Sequence, residues 1–150
     1  MAEHPFVGTW RLVAFESHTE DGRARLPYGK AAQGYLTYTV EGYMCVAIMD
    51  ASRPRFADAS DFVDGTPEEQ IAAGKRYISY AGSYVIRDER VIVHHIEVSL
   101  FPNWVGSDQE RLFEFDGNRL TLSTPPILIK GKQRTSHLVW ERVQPEAASA

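Results

Sequence analysis

The chain has one cysteine, no excess of positive charge and no long apolar run. A single Cys45 excludes an internal disulfide framework. Sixteen Lys and Arg stand against 20 Asp and Glu, for a net charge of −4. With no basic stripe, nucleic acid is not an expected partner. No stretch approaches the roughly 20 apolar residues that a membrane helix needs, so no membrane role is expected. Met1 to Pro5 lacks the basic segment and apolar run of a signal peptide. The expected setting is soluble and cytoplasmic. The phosphate loop, dinucleotide fingerprint and serine elbow are missing too. What remains is a chain of 150 residues, 43% hydrophobic and 24% charged, which suits one domain with a real core. That domain is expected over residues 1–144, followed by a disordered small-residue tail at 145–150.

Two-residue alternation between turn signals dominates the pattern. It predicts strands at about 8–17, 34–40, 43–49, 78–87, 90–100, 108–115, 119–124 and 133–142. In the first, Trp10, Leu12 and Ala14 are expected to share a face. Glu41-Gly42 and Asp116-Gly117-Asn118 read as hairpin turns. One helix interrupts the strands. Thr66 is its N-cap, Pro67 its first residue, and Glu69 completes a capping box; its end is expected near 74–77. The long stretch from Asp50 to Gly65 with this helix reads equally as a lid over an open end or as a bridge between two strands. Eight sequential antiparallel strands predict an all-β fold, an up-and-down barrel with one short helix. Closure removes both sheet edges, and eight strands leave room for one small ligand.

Gly8-Thr9-Trp10 on the first strand resembles the G-x-W signature of the lipocalin and fatty-acid-binding superfamily. A longer set of segments is similar to small bacterial lipocalin-like domain proteins. It comprises Gly34 to Tyr38 with Gly42-Tyr43-Met44, Arg53-Pro54-Arg55-Phe56, Tyr80-Ala81-Gly82, Phe101 to Gly106 with Gln109 and Arg111, Leu120 to Thr124, and Leu138-Val139-Trp140. The resemblance covers nearly the whole chain. It implies a lipocalin-like barrel whose Trp10 closes one end, with Arg142 the candidate to stack on it. It does not imply an activity.

The candidate site rests on the strand Arg90 to Leu100. Ile92, His94, Ile96, Val98 and Leu100 share one face, and Val91, Val93, His95, Glu97 and Ser99 the other. The polar row is expected to look into the barrel. His95 and Glu97 then lie roughly 6.5–7 Å apart along the strand and can form an acid–base pair. Arg111, sharing a face with Gln109 and Phe113 on the next strand, would pair with Glu97. Tyr38, Tyr80, Tyr84, Phe113, Phe115 and Trp104 are the expected apolar walls. Ser99, Asn103 and Gln109 are further candidate ligand contacts. Trp104 and Asn103 read as a pocket rim or as a loop folded over the barrel end. His94 is expected to be packed or at a solvent edge, and Cys45 a small buried hydrophobe. Neither a metal nor a cofactor is expected, since His94 and His95 point apart and His137 has no polar neighbour in its strand.

Two functions stay open, a binder of a small, largely apolar, aromatic-type molecule and a cofactor-independent isomerase, cyclase, lyase or hydratase using His95. A structural protein with a filled barrel is the third reading. The partner expected in the first two is a small molecule, and a homodimer is left open.

Overall fold

In the computed structural model the described residues are 4–58 and 63–144, so the expected 145–150 tail lies outside them. Ten strands and one α-helix are present among these residues. The strands are β1 (Gly8–Thr19), β2 (Ala24–Arg25), β3 (Ala32–Tyr38), β4 (Tyr43–Asp50), β5 (Tyr77–Ile86), β6 (Val91–Ser99), β7 (Asp108–Asp116), β8 (Arg119–Ser123), β9 (Ile127–Ile129) and β10 (Lys132–Arg142). Eight of them form a closed antiparallel barrel in the order β1-β3-β4-β5-β6-β7-β8-β10. The last seam runs from Trp10 opposite Arg142 to Thr19 opposite Arg134. Absent from the alternation pattern, β2 and β9 are two- and three-residue ribbons laid against β1 and β10.

Turn chemistry sets most of the connections. Asp116 faces Arg119 across Gly117-Asn118, and Gly117 takes φ 59, which a glycine adopts without steric cost. The β3–β4 connection is longer than a two-residue turn. Thr39 N–H donates to Tyr43 O (2.8 Å), and Gly42 N–H closes back on Thr39 O (3.2 Å).

Two β-bulges reset the alternation. Opposite β10, the register slips between Leu12 and Ala14, leaving Val13 as the extra residue. Trp10 and Leu12 therefore face inward first, and Phe15 and Ser17 afterwards, in place of the expected Ala14. Between β5 and β6, Gly82 faces Ile96 while Ala81 faces Val98, so Glu97 is extra. Gly82 makes this possible, because a Cβ there would sit 1.9 Å from His95 O and 3.0 Å from Glu97 N.

Aromatic side chains plug one end. Phe6 packs edge-on against Tyr38, Phe113 and Phe115, at centroid distances of 5.0, 4.7 and 4.9 Å. The Trp10 indole N–H donates to Phe6 O (2.9 Å). Arg142 lies 4.3 Å over the Trp10 ring and donates to Val7 O (2.8 Å) and Pro5 O. The Trp–Arg stack implied by the resemblance is thus in place. Helix α1 (Pro67–Lys75) carries the capping box, with Thr66 and Glu69 bonded reciprocally, and has no buried residue. No helix of the described residues is long and apolar enough to cross a membrane.

Candidate functional site

Above the aromatic plug the barrel is hollow. A cavity of about 400 Å³ is walled by Phe15, Leu36, Val46, Ile48, Ile78, Leu122, Leu138, Trp104 and Trp140, and none of α1 reaches it. Alternation on β3, β4, β8 and β10 delivers the aliphatic walls. The connection after β6 delivers Trp104, whose ring meets Tyr80 edge-on at 5.7 Å and 87°. Polar side chains enter from three neighbouring strands: Tyr80 on β5, His94 on β6, and Gln109 and Arg111 on β7. Gln109 is anchored by its Nε2, which donates to Ser107 Oγ (3.0 Å).

His94 is the hub of this polar group. It is 1% exposed, and both ring nitrogens are engaged, Nε2 with Tyr38 Oη at 2.7 Å and Nδ1 with Tyr80 Oη at 2.8 Å. Burial drives its pKa down to about 3, and the Arg111 guanidinium pushes the same way. At neutral pH the ring is uncharged. Burial also raises the hydroxyl pKa values of Tyr38 and Tyr80, Tyr38 strongly, while Arg111 pulls both down. The phenols stay protonated. Arg111 donates to Glu110 O (2.9 Å) and, among the described residues, has no carboxylate within 4 Å. The Glu110 side chain is half-exposed and bonded to Arg87. Trp140 Nε1 is buried and has no acceptor among the described residues.

The structure corrects the facing of β6. His95 and Glu97 are exposed on the outside of the barrel, and His94, not His95, points in. His95 Nδ1 lies 2.7 Å from Asp108 Oδ1, so its neighbour is an outer-face carboxylate rather than Glu97. The Glu97–Arg111 pair does not form, because the two side chains lie on opposite sides of the wall. After the bulge at Glu97 the parity reverses. Ser99 then faces Tyr80, but its Oγ accepts from Phe101 N–H (3.1 Å) and closes a turn. Val98, expected on the His94 face, is 68% exposed.

Four expected contacts, Tyr80, Trp104, Gln109 and Arg111, line the cavity together. Tyr38 stands behind His94, outside the cavity wall. Tyr84 donates its hydroxyl to Thr39 O (2.7 Å), and Phe113 and Phe115 belong to the aromatic plug. Asn103 is exposed, as is Cys45, which was expected inside. His137 does have polar company, with Thr135 Oγ1 at 3.1 Å and the His18 ring at 4.6 Å. Sequence reasoning missed His94 as the polar centre. The signal was its place between Ile92 and Ile96, the more apolar row of the strand.

A family described as lipocalin-like domain matches residues 7–143. The chain is also 32% identical over 108 residues to a 4'-hydroxy-3'-methoxypropiophenone carrier protein of Aspergillus oryzae. The match covers 67% of this chain and 96% of the fungal protein.

Proposed function

The chain belongs to the lipocalin-like domain family, and from that premise we propose that it is a carrier holding a small, mostly apolar aromatic molecule inside its barrel. The observation that carries this reading is the cavity itself. About 400 Å³ lined by aliphatic and aromatic side chains, with a few convergent polar groups, is the form of a small-molecule site. The similar fungal protein is named for an aryl ketone bearing a phenol, a ligand of matching chemistry. Tyr80, Trp104, Gln109 and Arg111 are the contacts we assign to the ligand. Acid–base turnover by His95 is not part of this reading, since His95 lies outside and the inward His94 is held neutral far below its ordinary pKa.

Titration with 4'-hydroxy-3'-methoxypropiophenone, followed by tryptophan fluorescence, tests the carrier function. Trp104 and Trp140 flank the cavity, so occupancy should quench their emission. Val46→Phe, which fills the apolar wall, should weaken binding by roughly tenfold or more while the fold persists. Saturable quenching abolished by Val46→Phe supports a carrier. Unchanged binding in that variant would place the ligand elsewhere.

A further inference from the structure

The carrier reading leaves open which ligands of the right size the cavity prefers. The hydrogen-bond arithmetic around His94 bears on that choice. A neutral imidazole has one N–H donor and one acceptor nitrogen, and here both face a tyrosine hydroxyl. Tyr38 is fully buried, and His94 is its hydrogen-bond partner. If His94 carried its proton on Nε2, that proton would go to Tyr38, and the Tyr38 hydroxyl hydrogen would be buried with no acceptor among the described residues. With the proton on Nδ1 the His94 nitrogens and the Tyr38 hydroxyl are satisfied: Tyr38 O–H donates to Nε2, and Nδ1–H donates to the Tyr80 oxygen. The Tyr80 hydrogen is then the one left over, and Tyr80 lines the cavity.

Arg111 lines the same cavity, and its guanidinium acts on the Tyr80 hydroxyl by lowering its pKa against the effect of burial. The polar end therefore offers a phenol O–H and a guanidinium that, among the described residues, has no carboxylate to neutralise it. The charged and titratable groups facing it are few. Tyr80 comes from β5, neutral His94 from β6 and Arg111 from β7, with Tyr38 of β3 behind His94; Glu110 of β7 also lines the cavity, and its carboxylate is bonded to Arg87. We propose that this end of the cavity is an oxyanion site. In it Arg111 and the Tyr80 hydroxyl, set as a donor by the Tyr38–His94 relay, receive a deprotonated oxygen carried on a flat apolar ligand. A charge-assisted pair of donors in a largely apolar setting favours the anion over its conjugate acid. This proposal rests on the carrier reading.

4-Nitrophenol is the probe, because its phenolate absorbs at a wavelength where the phenol does not. Its neutral ether 4-nitroanisole and the carboxylate 4-nitrobenzoate are its comparators. In wild-type protein the bound nitrophenol should ionise at a pH on the order of one unit lower than free, a tenfold preference for phenolate. Arg111→Gln should abolish that preference, weakening nitrophenolate binding far more than 4-nitroanisole binding. Tyr80→Phe should reduce it in part, with Tyr38→Phe acting the same way from behind the histidine. Equal or stronger nitrobenzoate binding would make the oxyanion a carboxylate rather than a phenolate, and would also support the site. If the ether binds as well as nitrophenolate and the bound probe's ionisation is unmoved, the oxyanion site is overturned and the carrier reading survives. If no probe binds wild-type protein, the carrier reading fails and this site with it. The wild-type absorbance decides the matter alone, should Arg111→Gln not fold.

Discussion

Gly82 controls which side chains of β6 reach the interior. It needs no left-handed backbone; its role is space. A methyl group there would collide with the His95 carbonyl at 1.9 Å, in the middle of a paired ladder that cannot shift freely. Gly82→Ala should cost about 1–3 kcal/mol, the range for overpacking a tight interior, read from urea unfolding midpoints at constant m. Glu97 is the bulged residue across from it and is exposed. Glu97→Lys should change stability by no more than about 0.5 kcal/mol, as surface substitutions do, whereas an inward Glu97 would be severely destabilised by the same change. His94 behaves the opposite way. Its folded pKa of about 3 lies below the 6.5 of an unperturbed histidine, so the unfolded chain takes up the proton first. Its contribution to stability is present above about pH 6.5 and is lost as pH falls toward 3. Ring-carbon NMR should find His94 uncharged at pH 5; a midpoint near 6.5 would contradict the buried relay.

Among the elements, α1 is held mainly at its ends. The capping box fixes its start, since Thr66 and Glu69 satisfy each other's backbone donors. Its far end is tied to the barrel by Asp50, the last residue of β4. The Asp50 carboxylate accepts from Ser52 Oγ (2.6 Å), Ser52 N–H (2.8 Å) and Arg76 Nη1 (3.0 Å). Arg53 adds a bond from its Nη1 to Ala73 O (2.6 Å) and lies 5.2 Å over the Tyr77 ring. The two Ser52 bonds lead, with Arg76 next, in lowering the Asp50 pKa to about 2. A depressed carboxylate pKa stabilises the folded state above its unfolded value near 3.8, and that stability drains as pH falls through about 2. Asp50→Asn should therefore be less stable than wild type at pH 7 and converge on it near pH 2, in chemical unfolding followed across that range. A constant gap at both pH values would remove the charge from the explanation. The short ribbons β2 and β9 escape the alternation pattern because two or three residues carry no readable period.

Over the whole molecule, the barrel divides into a plugged half and a hollow half. Phe6, from the segment before β1, fills the closed end together with Trp10, Phe113 and Phe115. The remaining cavity leaves apolar walls without partners, an arrangement that ligand binding improves. A ligand that binds only the folded barrel at 100 times its Kd should add about 2.7 kcal/mol, or raise Tm by roughly 5–10 °C for a domain of this size. Differential scanning fluorimetry measures this directly. A saturating ligand that leaves Tm unmoved would be bound outside the folded interior.

The sequence by itself determined the parts of this protein that are local or periodic. The eight main strands, the Gly117-Asn118 hairpin and the capped helix were legible, because alternation, turn residues and caps act within a few positions of each other; the Trp10–Arg142 closure came only from the family resemblance. Alternation also put Gln109, Arg111 and Phe113 on one face of their strand, without saying that this face is the inner one. Only the tertiary structure decided which face of β6 is inside. Alternation separates two faces but does not say which one is buried. The parity itself changes at Glu97, where a bulge depends on Gly82 of a different strand. The same holds for His94: its role comes from Tyr38, 56 residues away along the chain, and Tyr80, brought to its two nitrogens by barrel closure.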